Sequence, residues 1–532
     1  MSHRPSSRKV FFLALALIAG LKLWLVHGEE IVGSATQYDA LWYVRSASHW
    51  YWGTPYDWIA FIRPPTYPLF IAIMRLLHLP LRFAIELLQI GGALALVVGL
   101  RALGVSRWAA VVSFILICFH PIGYQQNDYT MSDTFYAGML WFVLGGMLLT
   151  LARRNLWSAF GTGVAVAILW NAREEGILLV ALILVGTVSF FVPGISQRPV
   201  TFYGSIRPIA LLWITAILLT VSAYTANHAV YRSFARSEMT APAFQSLYHS
   251  LLRIQPAEPK PYAPITTDTL QRASAVSPTF AKLRVPLEGP LGEAWRVETF
   301  RRTGTPNEIG VGWIVWATRQ AAAAQGFFSS PRTARRFFTK AAQEISRACD
   351  NGRLPTRFVI GGFLDPFAQS DAGSRLPASI ARVTARVFAQ WTIEPLPDDN
   401  ILTKEEASLY DRMTLRRSEG VPPRHGIAVA TERFVGRFHW FVMVVLHSLA
   451  AVACVLLLFF HRRVREQAGV ICAIALLLSV VLLRWALLVW LDATAFDATQ
   501  DRFLFPILPL WSVALVVLIW LCAKTARKTS AP

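Results

Sequence analysis

The sequence predicts an α-helical polytopic membrane protein: a transmembrane bundle of about ten spans, with a large mixed extracytoplasmic domain inserted before the last three. Three observations predict it. Of 532 residues, 54% are hydrophobic and only 16% charged, whereas soluble domains run nearer about a quarter charged. The apolar residues concentrate in 10–226 and 436–524, and the stretch between reads like an ordinary soluble protein. Lys and Arg recur in the short connections between apolar runs, where they set topology and meet anionic headgroups.

The elements follow in order. A span needs about 17–25 largely apolar residues. Runs that meet or approach this lie at 10–27, 83–100, 107–123, 133–151, 156–171, 176–193, 208–226, 437–461, 468–491 and 503–523. Arg4 to Lys9 followed by Val10–His27 has the outline of a signal peptide, but no small-residue cleavage site follows it, so an uncleaved first span is expected. The run 67–79 carries Arg75 and His78 and is bounded by Pro64, Pro65, Pro68 and Pro80. It is too short to cross comfortably and is expected to lie along the membrane.

Charge then fixes the sides. With 67–79 interfacial, one face receives Arg4/Arg8/Lys9, Arg101/Arg107, Arg153/Arg154, Arg198/Arg207, Arg462/Arg463/Arg465 and Lys524/Arg527/Lys528. Basic short loops mark the cytoplasmic side, so both termini are expected there. The opposite face holds 28–82, 124–132, 172–175, 227–436 and 492–502, with Asp39, Asp57, Asp128, Glu174, Glu175, Asp492, Asp497 and Asp501. Acids contribute little to topology, so this clustering points to a site at the outer surface. Three regions result: an N-terminal transmembrane module 1–226 with first outer loop 28–82, an extracytoplasmic domain 227–436, and C-terminal helices with a cytoplasmic tail at 437–532.

The hydrophilic domain begins irregular and Pro-rich, from Pro256 to Pro290. A helix is predicted from Ser330 as N-cap and Pro331 at the first position through Cys349, ended by Asn351-Gly352. A second helical stretch covers 376–391. Of five cysteines only Cys349 lies in this domain, so it has no intramolecular disulfide framework, and no Cys/His metal spacing occurs. The net charge of +19 is absorbed by membrane-flanking loops, and no basic helix with interleaved aromatics points to nucleic acid.

Five short constellations could carry chemistry. Tyr38-Asp39-Ala40-Leu41-Trp42-Tyr43 places a carboxylate among aromatics just past the first span, where partial burial would raise its pKa toward a general base; an aromatic belt with a solvated acid has the same pattern. Arg63-Pro64-Pro65-Thr66-Tyr67-Pro68 holds an Arg at headgroup depth, where a guanidinium grips phosphate or simply snorkels. His120-Pro121, Asn127-Asp128-Tyr129 and Ser132-Asp133-Thr134 bring acids to the start of a span, with Asp133 a helix-capping acid or a ligand for a sugar hydroxyl or divalent cation. Asn171-Ala172-Arg173-Glu174-Glu175-Gly176 is a tight charged turn beside hydrocarbon, expensive unless paired or functional. Arg484 lies inside a span, about 10 Å below its outer end at 1.5 Å per residue, and Asp501-Arg502-Phe503 with Pro506 and Pro509 opens the last span.

Together these pieces resemble the GT-C superfamily of membrane glycosyltransferases, which use polyprenyl-phosphate-linked sugars. The resemblance covers 1–226 well and 437–524 loosely. It implies a GT-C-like bundle in a bacterial inner membrane. It also implies transfer of a sugar from a polyprenyl-phosphate donor to an extracytoplasmic glycan, lipid or protein acceptor, with inversion. Asp39 would be the catalytic base. Asp133 would stand near the sugar or a metal shared with Asp39, and Arg173, Arg502 or Arg63 would hold the lipid phosphate. Asp128, Glu174 and Arg484 join them as candidate substrate-binding residues. The sequence departs from the family where a single Asp39 replaces a Glu or double acid and Arg502-Phe503 replaces Arg-Tyr. A transporter or flippase for a lipid-linked or anionic solute predicts broken, symmetric spans, and neither feature stands out beyond Gly161 and Gly163. A non-catalytic membrane assembly protein stays as the other alternative.

Overall fold

The computed structural model describes residues 6–32, 38–195, 202–369, 371–388, 402–417, 426–459 and 465–527. Arg4, Arg198, Arg462, Arg463 and Lys528, which helped to set the predicted topology, lie outside them, as do 389–391 of the second predicted helix.

The described residues form a helical membrane bundle. Among them, eight helices are long and apolar enough to cross a membrane: Arg8–Val26, Leu81–Ala102, Arg107–Gln126, Ser132–Arg153, Ile206–Tyr231, Arg433–Phe459, Ala468–Thr494 and Leu508–Arg527. The predicted spans at 156–171 and 176–193 form shorter apolar helices, Leu156–Trp170 and Gly176–Ser189. Side chains fix several starts: Ser106 Oγ accepts from Ala109 N and Asn155 Oδ1 from Trp157 N, satisfying donors that a helix leaves open. Pro121 breaks the third span into Arg107–Cys118 and Pro121–Gln126, because proline can neither donate nor continue the preceding turn. The last span starts at Leu508, later than the predicted 503, after a short helix Asp501–Leu504. The run 67–79 forms Thr66–Leu76, at 11 residues too short to span.

Ser132–Arg153 is the most enclosed of the eight spans, 83% of its apolar window being buried. It crosses Leu81–Ala102 closely because glycines meet at the contact. A Cβ on Gly145 would come within 2.3 Å of the Ala95 carbonyl carbon, and one on Gly92 within 2.4 Å of Gly138 O. Small residues that let backbones touch are how helices pack where lipid is as apolar as leucine. This central helix pair carries Ser132 and Asp133 at one end.

Two cores divide the hydrophilic insertion. Residues from Phe244 to Ala368 build a separate apolar cluster, joined by Trp42, Ile62 and Ala495. Val383, Val387, Tyr410 and Met413 instead belong to the core of the membrane bundle. The predicted helix at 376–391 is Ala372–Phe388, and it lies along the span Ala468–Thr494. Trp485 Nε1 donates to Thr384 Oγ1 at 3.1 Å, and Arg382 pairs with Asp492 at 2.6 Å. The helix Lys404–Thr414 packs with the first loop, Arg75 Nε donating to Arg412 O at 2.9 Å. The insertion was expected to be mixed; among the described residues it is helical, with only isolated bridges such as Ile254 to Thr356. No run there alternates apolar and polar residues as a half-buried strand requires. The helix expected from Ser330 is Pro331–Asp350, with Ser330 Oγ accepting from Thr333 N at 3.2 Å and Gly352 left-handed at φ 68° beyond it.

A charged site at one rim of the bundle

Asp39 sits in the first turn of the helix Tyr38–Ser48. Arg63 Nη2 lies 2.7 Å from its Oδ1 and 2.8 Å from its Oδ2, and Arg63 Nη1 lies 3.3 Å from Glu174 Oε2. The loop between is bent sharply: Trp50, Tyr51 and Phe61 hold φ of 51°, 62° and 63°, a region L-residues avoid at a cost of about 1–3 kcal/mol each. Buried bonds impose the bend. Arg319 donates to Trp58 O and Ala60 O, at 2.7 and 3.1 Å, and pairs with Glu238 at 3.0 Å. Tyr51 Oη donates to Arg63 O at 2.7 Å. The Arg63 guanidinium carbon stands 5.0 Å from the Trp316 ring, a cation–π contact from the insertion.

The turn 171–175 meets this loop. Thr66 N donates to Asn171 O at 3.2 Å, and Arg236 donates to Trp170 O and Glu174 O at 3.0 and 2.8 Å. Arg173 Nη1 lies 2.6 Å from Asp133 Oδ2 and donates to Ser132 Oγ at 3.1 Å; Nη2 lies 3.1 Å from Glu175 Oε1. Tyr43 Oη is 2.9 Å from the same Ser132 Oγ, joining the Asp39 helix to the Asp133 helix. Arg484 is 1% exposed, pairs with Glu175, reaches within 4.0 Å of Asp133, and donates from Nε to Phe503 O at 2.9 Å. Its head therefore turns into the bundle rather than snorkelling outward.

Arg502 completes the group. It is the one of these guanidiniums without a carboxylate contact among the described residues: Nε donates to the neutral Gln500 Oε1 at 3.0 Å, and its carbon stands 4.5 Å from the Phe503 ring. Burial lowers its pKa, against the opposing charges of Asp133 and Asp39. Burial also pushes the Asp39 carboxyl up, but the charge and hydrogen bonds of Arg63, with smaller help from Arg502 and Arg173, win and hold it below the usual carboxylate range. This corrects the expectation of a raised pKa, since the counter-ion outweighs the desolvation. Four carboxylates (Asp39, Asp133, Glu174, Glu175) and four guanidiniums (Arg63, Arg173, Arg484, Arg502) thus occupy one half-buried patch.

Beside Arg484 lies a small void of about 10 Å³, room for about one water, lined by Tyr136, Leu140, Leu179, Leu182, Val480, Leu483 and Arg484. Its walls are apolar and its head is cationic.

Asp128 stands in a second buried network: Arg82 Nε holds its Oδ1 at 2.7 Å, Arg82 also pairs with Glu86 at 2.7 Å, and Lys22 stands 3.5 Å from Glu86. Asn127 Nδ2 donates to Glu86 and Gln89 at 3.1 and 2.8 Å. The ion pair that Asp128 makes with Arg82 thus belongs to this network and not to the group around Asp39. No group of three or more His, Cys, Asp or Glu able to hold a metal occurs among the described residues. Asp39 and Asp133 each face a guanidinium, which they would have to release before sharing a cation. The sequence reading did not single out Tyr43, Ser132 and Glu175 as site residues, or Arg386, whose Nη2 lies 2.8 Å from Asp501 Oδ1 beside Arg502. Glu175 alone had a local signal, its place in the charged turn.

Fold and site define an integral membrane protein with a charged, half-buried patch at one rim of a helical bundle. No protein-family model matches the chain, and no curated protein matches its sequence. Among solved structures it is similar to ArnT from Cupriavidus metallidurans in the apo state, at 13% identity and TM-score 0.33, covering 98% of this chain and 78% of that one. ArnT bound to undecaprenyl phosphate gives 12% and 0.32 with the same coverage. An Archaeoglobus fulgidus oligosaccharyltransferase tethered with an acceptor peptide gives 11% and 0.28, over 80% of this chain and 54% of that one. At these scores the likeness decides nothing about the site, whose chemistry rests on the distances above.

Proposed function

We propose that the chain is a GT-C-type glycosyltransferase that moves a sugar from a polyprenyl-phosphate donor to an extracytoplasmic acceptor. The observation that carries this reading is Arg502: a half-buried guanidinium with no carboxylate contact among the described residues, within electrostatic reach of Asp39. A lipid phosphate would bring Arg502 the anion it lacks, and its apolar chain would have to open the small void beside Arg484. The first isoprene units would part the helices Ser132–Arg153, Gly176–Ser189 and Ala468–Thr494 at this void, and the phosphate would meet Arg502 and Arg63.

The chemistry is a single displacement. The acceptor hydroxyl oxygen bonds to the anomeric carbon as the bond from that carbon to the phosphate oxygen breaks. The hydroxyl proton passes to Asp39, and the leaving lipid phosphate keeps the electron pair as an anion stabilised by preorganised guanidiniums. Drawing Arg63 toward the phosphate removes the strongest charge that depresses Asp39, so donor arrival itself makes the carboxylate more basic. Ser132, Tyr43 and Arg173 would orient the sugar.

The test is a transfer assay in membranes carrying wild type or Asp39→Asn, offering several polyprenyl-phosphate sugars. Sugar transfer by wild type, reduced by about 10²–10⁴-fold in the variant as for loss of a general base, supports the reading. Equal transfer by both removes Asp39 as base. Movement of intact donor across the bilayer without transfer would make the protein a flippase.

A further inference from the structure

The segment Arg357-Phe-Val-Ile-Gly-Gly-Phe-Leu-Asp-Pro-Phe367 leaves large apolar side chains outside: Phe358 is 69%, Ile360 62% and Phe367 56% exposed. The segment is nonetheless fixed in shape. The Asp365 carboxylate accepts from Gly361 N and Phe367 N, at 2.6 and 2.9 Å, around Gly361 and Gly362 at φ 95° and 89°. Phe363 packs inward, 4.5 Å from the Tyr248 ring. The exposed rings also pair with each other, Phe358 and Phe367 lying 5.0 Å apart. A rigid loop that spends three large apolar groups on water is unusual unless something covers them.

The loop's place in the fold says what does. Trp490, in the last turns of the span Ala468–Thr494, donates Nε1 to Leu364 O at 3.2 Å. The helix Ala372–Phe388 begins five residues beyond Phe367 and then descends along that span. Arg375 Nε meets Ala493 O at 2.7 Å, Thr384 Oγ1 meets Trp485 at 3.1 Å, and Phe388 lies 5.2 Å from His447 of another span. Trp485 is roughly 14 Å inside the span end at 1.5 Å per residue. The chain therefore passes from the loop to hydrocarbon depth within about five turns, which sets the loop at headgroup level. Exposed Arg353 precedes it, while Arg357 is turned inward onto Leu252 O, Ala368 O and Pro264 O; a basic group beside exposed aromatics suits a membrane interface.

We infer that the loop Phe358–Phe367 is an interfacial anchor: Phe358, Ile360 and Phe367 insert into the bilayer leaflet at the site rim and seat the insertion on the membrane. The occupant is the lipid interface itself, because Trp490 ties the loop to the end of a membrane span.

The test uses the full-length chain in vesicles of mixed zwitterionic and anionic lipid. Cys454, the exposed cysteine, is replaced by Ser, the other four being buried. An environment-sensitive fluorophore is placed at Ile360→Cys, and in a separate variant at Lys340→Cys, whose side chain is 70% exposed on the insertion. Emission at 360 should shift to the blue and be quenched several-fold more by headgroup-region nitroxide lipids than emission at 340. A 360 label as open to an aqueous quencher as the 340 label overturns the inference. So does a label shielded from both quenchers, which would mean that a second copy or another protein covers the loop. Phe358→Cys gives an independent reading should Ile360→Cys fail to fold.

Discussion

Arg63 and Asp39 form a two-oxygen ion pair, Nη2 lying 2.7 and 2.8 Å from the two carboxylate oxygens, between residues 24 positions apart in one bent loop. The proposed base and the proposed phosphate ligand thus neutralise one another in the donor-free site. Each becomes available only when the other leaves, which makes the pair a gate on the chemistry.

The first prediction concerns pH. Asp39 is held below its ordinary value, so its pair with Arg63 adds stability above about pH 4, the unfolded value for Asp, and loses it as pH falls through the lower folded value. The acid limb of kcat/KM, which reports the free protein, should lie below the usual carboxylate range. The limb of kcat should lie above it, because bound donor has drawn Arg63 away. Arg63→Met should raise the limb of kcat/KM; a limb unmoved by that change would disconnect the pair from catalysis.

Asp133 is 1% exposed beside Arg173 and Arg484. Asp133→Asn leaves buried Arg484 and half-buried Arg173 short of counter-charge, and breaking a buried pair costs about 3–5 kcal/mol. Thermal unfolding in detergent should show a clear fall in Tm together with loss of transfer.

The network of Lys22, Arg82, Glu86 and Asp128 should behave differently. Asp128→Asn uncovers Arg82 and should lower Tm by a similar mechanism. The folded fraction should keep the wild-type KM for donor. A raised KM at unchanged stability would return Asp128 to the site.

Gly145→Ala pushes a methyl into the backbone at Ala95, with 2.3 Å available. The two central spans must separate, so overpacking by about 1–3 kcal/mol or more is expected, read as a lower Tm. Gly161→Ala, where a Cβ meets nothing within 4 Å, should leave Tm unchanged or raise it.

Much of this was legible in the sequence for one reason: charges near hydrocarbon are expensive, so Asp39, Arg63, Asp133, Arg173 and Arg484 had to be paired or used. The apolar runs gave the spans directly, and Ser330-Pro331 with Asn351-Gly352 gave both ends of one helix. The partners were not legible. Asp128 is five positions from Asp133 but pairs with Arg82, 46 positions away, a partner that sequence spacing does not show. Arg386 and Asp501 are 115 positions apart. The helix Ala372–Phe388 reads as soluble from its arginines, yet Arg375, Arg382 and Arg386 are used on one span end and the residues after it, which lets its remaining faces enter the bundle.

Donor binding is tested most directly by photolabelling the reconstituted protein with a polyprenyl phosphate carrying a diazirine in its first isoprene units. Adducts are expected on Leu140, Leu179, Leu182, Val480 or Leu483, competed by unlabelled polyprenyl phosphate and weakened by Arg502→Met. Adducts confined to distant spans such as Arg433–Phe459, or indifferent to the competitor, would contradict donor binding there.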